Sequence, residues 1–68
     1  MNEDTFNMSV RKFLKKLGIT AQRELERKIR EALAEGRLRG DEELAVTAKV
    51  TLAEVGLELD VEGKIALE

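Results

Sequence analysis

The strongest constraint in this sequence is an alternation of apolar and polar residues whose parity reverses once. Even-numbered positions are apolar over 44–52, whereas over 57–67 the odd-numbered positions are apolar or glycine. Alternation with a period of two is typical of β-strands with one apolar face. A four-residue loop over 53–56 requires this reversal, because only then do both apolar sets share a face. The segment is predicted to form an antiparallel hairpin.

The same reasoning predicts the register of the hairpin. The loop places Lys49 opposite Asp60 on the polar face, an attractive cross-strand pair. On the apolar face it pairs Leu52 with Leu57, Val50 with Leu59, Ala48 with Val61, Val46 with Gly63 and Leu44 with Ile65.

Two helices are predicted before the hairpin, at about 4–17 and 21–35. Gly18 is a candidate left-handed cap for the first helix and Thr20 an N-cap for the second, so the two would meet in a tight corner. A linker over 36–43 follows. The apolar stripes are Phe6, Val10, Phe13, Leu14 and Leu17, then Ala21, Leu25, Ile29, Ala32 and Leu33.

The predicted fold class is therefore α+β, one domain over 1–68 with element order α-α-β-β. We expect Phe13, Leu25, Ile29 and Val50 to be buried in its core.

A chain of 68 residues buries a thin core, which disulfides, a metal or self-association usually supplement. Cysteine and histidine are both absent, which excludes disulfides and the usual zinc ligands. The hairpin also has two long edges without partners. We therefore expect a homodimer with a larger sheet, formed side by side or by exchange of elements through the 36–40 segment.

Charge and hydropathy favour a cytoplasmic protein that does not enter a membrane. The N-terminal segment is acidic, unlike a signal peptide, and the apolar runs are far too short to span a bilayer. Residues 1–40 carry ten Lys or Arg against six Asp or Glu, and residues 41–68 carry two against eight. Such a bipolar chain can bind a polyanion or pair with a second copy.

The predicted corner resembles a helix-turn-helix, with Arg23, Arg27 and Arg30 on the outer face of its second helix. Acidic residues at helical contact spacing argue against this function, because carboxylates repel the phosphates that arginines attract. These acids are Glu24, Glu26 and Glu31. We do not expect nucleic acid as the main partner.

Two charged surfaces are candidate interaction sites. A basic patch on the first helix contains no acid, and an acidic row alternates along the second strand at a spacing of roughly 7 Å. The row does not converge its oxygens on one point, as calcium loops do, so we predict no metal site there. The basic patch comprises Arg11, Lys12, Lys15 and Lys16, and the acidic row comprises Glu58, Asp60 and Glu62.

No catalytic or cofactor-binding residues are predicted. The chain has no His, Cys or Tyr, and it lacks a glycine-rich phosphate loop. Ser9, its one serine, has no evident activating base.

The segments "MNEDTFNMSVRKFLKKLGITAQRELERKIREALAEGRL" and "GLELDVEGKIALE" resemble a family of small uncharacterised proteins from Gram-negative bacteria. The resemblance implies a stand-alone cytosolic domain, with no activity and no site residues to transfer. The sequence thus favours a non-enzymatic, self-associating module that presents its charged surfaces to a protein partner. The alternative is a small nucleic-acid-binding or regulatory protein of helix-turn-helix or winged type.

Overall fold

The computed structural model describes all 68 residues and contains one helix followed by a two-stranded hairpin. The chain divides into two units, Met1–Arg37 and Leu38–Glu68. Its helix lacks an apolar stretch long enough to cross a membrane. The elements are α1 (Glu3–Ala34), β1 (Glu43–Leu52), a 3₁₀ turn (Ala53–Val55) and β2 (Leu57–Ala66).

Helix α1 has a well-formed cap at each end. The Asn2 side chain accepts a hydrogen bond from the Thr5 N–H at 3.1 Å and caps the first turn. At the other end Gly36 has a left-handed φ of 77°, and the Arg37 N–H donates to the Ala32 carbonyl at 2.9 Å. This is a Schellman motif, which satisfies carbonyl groups that the end of a helix leaves unpaired.

The predicted corner between two helices is wrong, because α1 runs through Gly18 and Thr20 without a break. Gly18 is not among the glycines with positive φ. The apolar stripe is also continuous across this point, since Leu17, Ala21 and Leu25 are spaced four residues apart. The helices expected at 4–17 and 21–35 are one element of 32 residues.

The energy balance favours the continuous helix. A glycine inside a helix costs about 1 kcal/mol relative to alanine. A break at Gly18 would remove several backbone hydrogen bonds, each worth roughly 0.5–1.5 kcal/mol, and would create two further ends to cap. The chain contains no proline that would force a break.

The predicted hairpin is confirmed, with strand ends within one residue of those expected. Every predicted pair is present in its register, including Lys49 opposite Asp60. The loop is the predicted 53–56, where Gly56 takes a φ of 67° and donates its N–H to the Ala53 carbonyl at 3.1 Å. A left-handed glycine at this position closes a four-residue hairpin loop without steric strain.

The expected core is not buried in the single chain. Phe13 is 53% exposed and Leu25 is 38% exposed, whereas Ile29 and Val50 are half-buried. Ala32 is the only buried apolar residue, at 7% exposure. The stripes were placed on the correct faces, but periodicity shows only which residues share a face and not whether anything covers it.

Candidate interaction surfaces

The basic patch lies on the N-terminal half of α1, and all four of its side chains are exposed. None of them takes part in an ion pair. At about 100° per residue, they occupy the side of the helix opposite the apolar residues of the same half, which are Phe6, Val10, Phe13, Leu14 and Leu17. Arg11, Lys12 and Lys15 line a shallow depression with Met8. One face of a single helix forms it, so it is an open surface and not a cavity.

The three arginines in the C-terminal half of α1 differ in their pairing. Arg27 contacts Glu24 at 2.8 Å and Glu31 at 3.4 Å. Hydrogen bonding to Arg27, together with its charge, lowers the pKa of Glu24. Arg23 and Arg30 have no ion pair, so the predicted contacts with Glu26 do not form. The argument that acids neutralise this whole face therefore holds only for Arg27.

Because α1 is continuous, it carries more free cations on one face than the two-helix interpretation allowed. Arg23 and Arg30 lie on the same side of the helix as the basic patch, within an arc of about 140°. Arg11 and Arg30 are separated by about 28 Å along the axis at 1.5 Å per residue. Two acids, Asp4 and Glu26, share this side.

The acidic row lies on β2, where all three carboxylates are exposed and none is in an ion pair. Lys49 opposes Asp60 in the register without an ion pair between them. The hairpin's ion pair joins Lys64 and Glu43 at 3.3 Å. An exposed pair of this kind contributes little to stability.

Sequence reasoning missed a third surface, the uncovered apolar stripe of α1. Its members include Phe6, Val10, Leu14 and Leu17, which are 47%, 44%, 52% and 37% exposed. The spacing of Leu17 and Ala21 indicated that the stripe continues, although its exposure could not be read from the sequence. An uncovered apolar surface of this length is typical of a binding site.

The linker contains an ordered carboxylate turn. The Glu42 carboxylate accepts hydrogen bonds from the backbone N–H groups of Arg39 at 2.9 Å, Gly40 at 2.8 Å and Asp41 at 3.1 Å. These bonds, led by those from Arg39 and Gly40, lower the pKa of Glu42 to about 2. Three N–H groups facing one carboxylate resemble an anion-binding nest that the chain fills with its own side chain.

No cluster of three or more His, Cys, Asp or Glu residues is arranged to hold a metal ion.

Comparison with known proteins gives one result. Neither the curated proteins nor the solved structures include a match to this chain. The model of a family of unknown function, DUF6494, matches residues 1–68. Since this match covers the whole chain, the protein belongs to the family of unknown function DUF6494.

Proposed function

We propose that the protein is a non-enzymatic interaction module that associates with itself as a homodimer. The observation that carries this proposal is the burial of Ala32 alone among the apolar side chains of a single chain. A domain of this size must bury most of its apolar surface to offset the loss of conformational entropy on folding. A second copy can cover the apolar side chains that a single chain leaves exposed.

The exposed side chains are a sufficient source of association energy. A Leu, Val or Phe that is about half exposed gains roughly 1 kcal/mol when the rest of its surface is buried. Phe6, Val10, Phe13, Leu14 and Leu17 share one face of α1, and Leu57, Leu59 and Val61 share one face of β2. Burial of such a set between two copies offsets the entropy lost on association.

The test combines sedimentation equilibrium with two matched variants. Leu14→Glu places a charge on the stripe, and Ile19→Glu places the same charge about 140° away around the helix. The two side chains are 52% and 51% exposed, so the variants differ mainly in position. We expect the parent and Ile19→Glu to have twice the monomer mass of 7.6 kDa at micromolar concentration, and Leu14→Glu to be monomeric.

A monomeric parent over this concentration range would refute self-association. A dimeric Leu14→Glu would instead show that the stripe is not in the interface. Exchange of elements through the 36–40 segment and an additional protein partner at the charged surfaces stay as finer predictions of the same proposal.

The helix-turn-helix alternative has lost its structural basis, since the corner does not exist. The free cations of α1 support a narrower second candidate, weak binding to the phosphate backbone of nucleic acid. We expect no sequence preference, because the basic side of the helix has few groups that read bases. It carries no aromatic residue, and Gln22 is its only amide. In a mobility-shift titration, binding should disappear as salt is raised. Sub-micromolar affinity for one sequence at physiological salt would contradict this expectation.

A further inference from the structure

The two edges of the hairpin differ in their suitability for pairing with a second copy. Both β1 and β2 have ten residues, and each has a partner strand on one side only. The hydrogen bonds of the hairpin show which residues direct their backbone groups away from it. The Leu67 N–H donates to the Glu42 carbonyl at 3.0 Å, one rung beyond the pair Glu43 and Ala66.

Hydrogen-bonded and non-hydrogen-bonded pairs alternate along an antiparallel ladder. The even-numbered residues of β1 therefore direct their N–H and C=O groups towards β2, and the odd-numbered residues direct theirs outward. In β2 the even-numbered residues direct theirs outward. The outward residues of β1 are Glu43, Ala45, Thr47, Lys49 and Thr51, and those of β2 are Glu58, Asp60, Glu62, Lys64 and Ala66.

The acidic row therefore lies on the free edge of β2. Outward groups of two β2 strands can meet in two antiparallel registers with nearly full overlap. One register places Asp60 opposite Glu62 twice and Glu58 opposite Lys64 twice, whereas the other places Glu62 opposite itself and Asp60 opposite Lys64 twice. Both registers oppose carboxylates directly, and the outward positions of each β2 strand hold three acids and one lysine, so two such edges, each with a net charge of -2, repel each other.

The edge of β1 carries no such protection. Two β1 strands can also pair in two antiparallel registers. The register centred on Thr47 places Thr47 opposite Thr47 of the second copy, and the register centred on Ala48 places Thr47 opposite Lys49. Neither register brings like charges together, and threonine pairs across strands are favourable. All five outward residues of this edge are exposed.

We infer that two copies associate through the edges of β1, forming an antiparallel four-stranded sheet in the order β2-β1-β1-β2. This inference rests on the proposed function and adds a strand pairing to the apolar interface proposed there. The pairing is symmetric, so it closes as a dimer and does not extend into a filament. It also places the apolar faces of both hairpins on the same side of one sheet, because directly opposed residues point to the same face.

Two proline variants at the same rung test this inference. Thr47 and Glu62 are cross-strand partners, and both direct their N–H groups outward. Proline at either position removes an outward donor and leaves the bonds between β1 and β2 in place. Thr47→Pro should raise the dissociation constant of the dimer at least tenfold in sedimentation equilibrium. Glu62→Pro, the matched control, should stay within about twofold of the parent. Equal weakening by both variants, or weakening by Glu62→Pro alone, would overturn the inference.

Disulfide trapping provides a measurement that does not depend on the proline variants folding. The chain has no cysteine, so a single introduced cysteine reports only contacts between copies. Opposed residues in a strand pair have Cα atoms about 4.5–5.5 Å apart, which a disulfide can bridge. Either Thr47→Cys or Ala48→Cys should yield a cross-linked dimer, depending on the register, and Glu62→Cys should not. Cross-linking of Glu62→Cys alone would contradict the inference. A parent that is monomeric would instead refute the proposed function itself.

Discussion

At the scale of single residues, Gly18 shows how a local signal can have two structural meanings. A glycine followed closely by threonine is typical of a helix end and a new N-cap. The structure places Gly18 inside α1, and a Cβ added there would meet no atom within 4 Å other than those of its chain neighbours and the local helix backbone.

Gly18→Ala should therefore stabilise the protein by roughly 0.5–1 kcal/mol, because alanine has the higher helix propensity and restricts the unfolded chain. The measurement is the midpoint of denaturant unfolding. Gly36→Ala is the control and should destabilise, since Gly36 has a φ of 77°. Destabilisation by Gly18→Ala would instead support a left-handed cap at this position.

Glu42 is a second residue whose environment gives a directional prediction. Its pKa is about 2 in the folded chain against an ordinary value of 4.5. The carboxylate therefore contributes stability that is fully present above pH 4.5 and is lost as the pH falls through about 2.

Glu42→Gln should lower the melting temperature near neutral pH, because a neutral amide accepts the three N–H groups less well. The difference from the parent should shrink towards zero as the pH approaches 2. Glu54→Gln is the control, since Glu54 is exposed and has no ion pair. A difference between parent and Glu42→Gln that is independent of pH would contradict the role given to its charge.

At the scale of elements, the sequence predicts the hairpin more completely than the helix. The hairpin was predicted in strand limits, loop and register because alternation, loop length and charge pairing all depend on near neighbours in the sequence. Both halves of α1 were predicted as helical with the correct stripes, and the error was confined to the three residues between them.

Continuity of α1 predicts a distance that a bent pair of helices would not have. Ser9 and Arg30 are 21 positions apart, which corresponds to a rise of about 32 Å in one helix. Spin labels on Ser9→Cys/Arg30→Cys, diluted with unlabelled protein, should give a single narrow distance distribution near this value. A clearly shorter or broad distribution would indicate a corner near Gly18.

At the scale of the whole molecule, the proposed dimer would make stability depend on association, because the apolar stripe and the free edge of β1 are exposed in the single chain. A dimer that folds and associates together has a melting temperature that rises with protein concentration. We expect this rise for the parent in scanning calorimetry across a hundredfold range of concentration. Leu14→Glu should melt at a lower temperature with no such dependence. A parent midpoint that is unchanged over the range would exclude coupling between folding and association.

The sequence by itself determined the hairpin, its register and the composition of each charged and apolar face, because these depend on the order of residues over short distances. The three-dimensional structure decided three things that the order leaves open. It showed that α1 continues through Gly18, where a small helix penalty competes with the loss of backbone hydrogen bonds. It showed that Arg27 is paired while Arg23 and Arg30 are free. It also showed that Phe13 and Leu25 are exposed, because burial depends on what covers a face and not on the residues that form it.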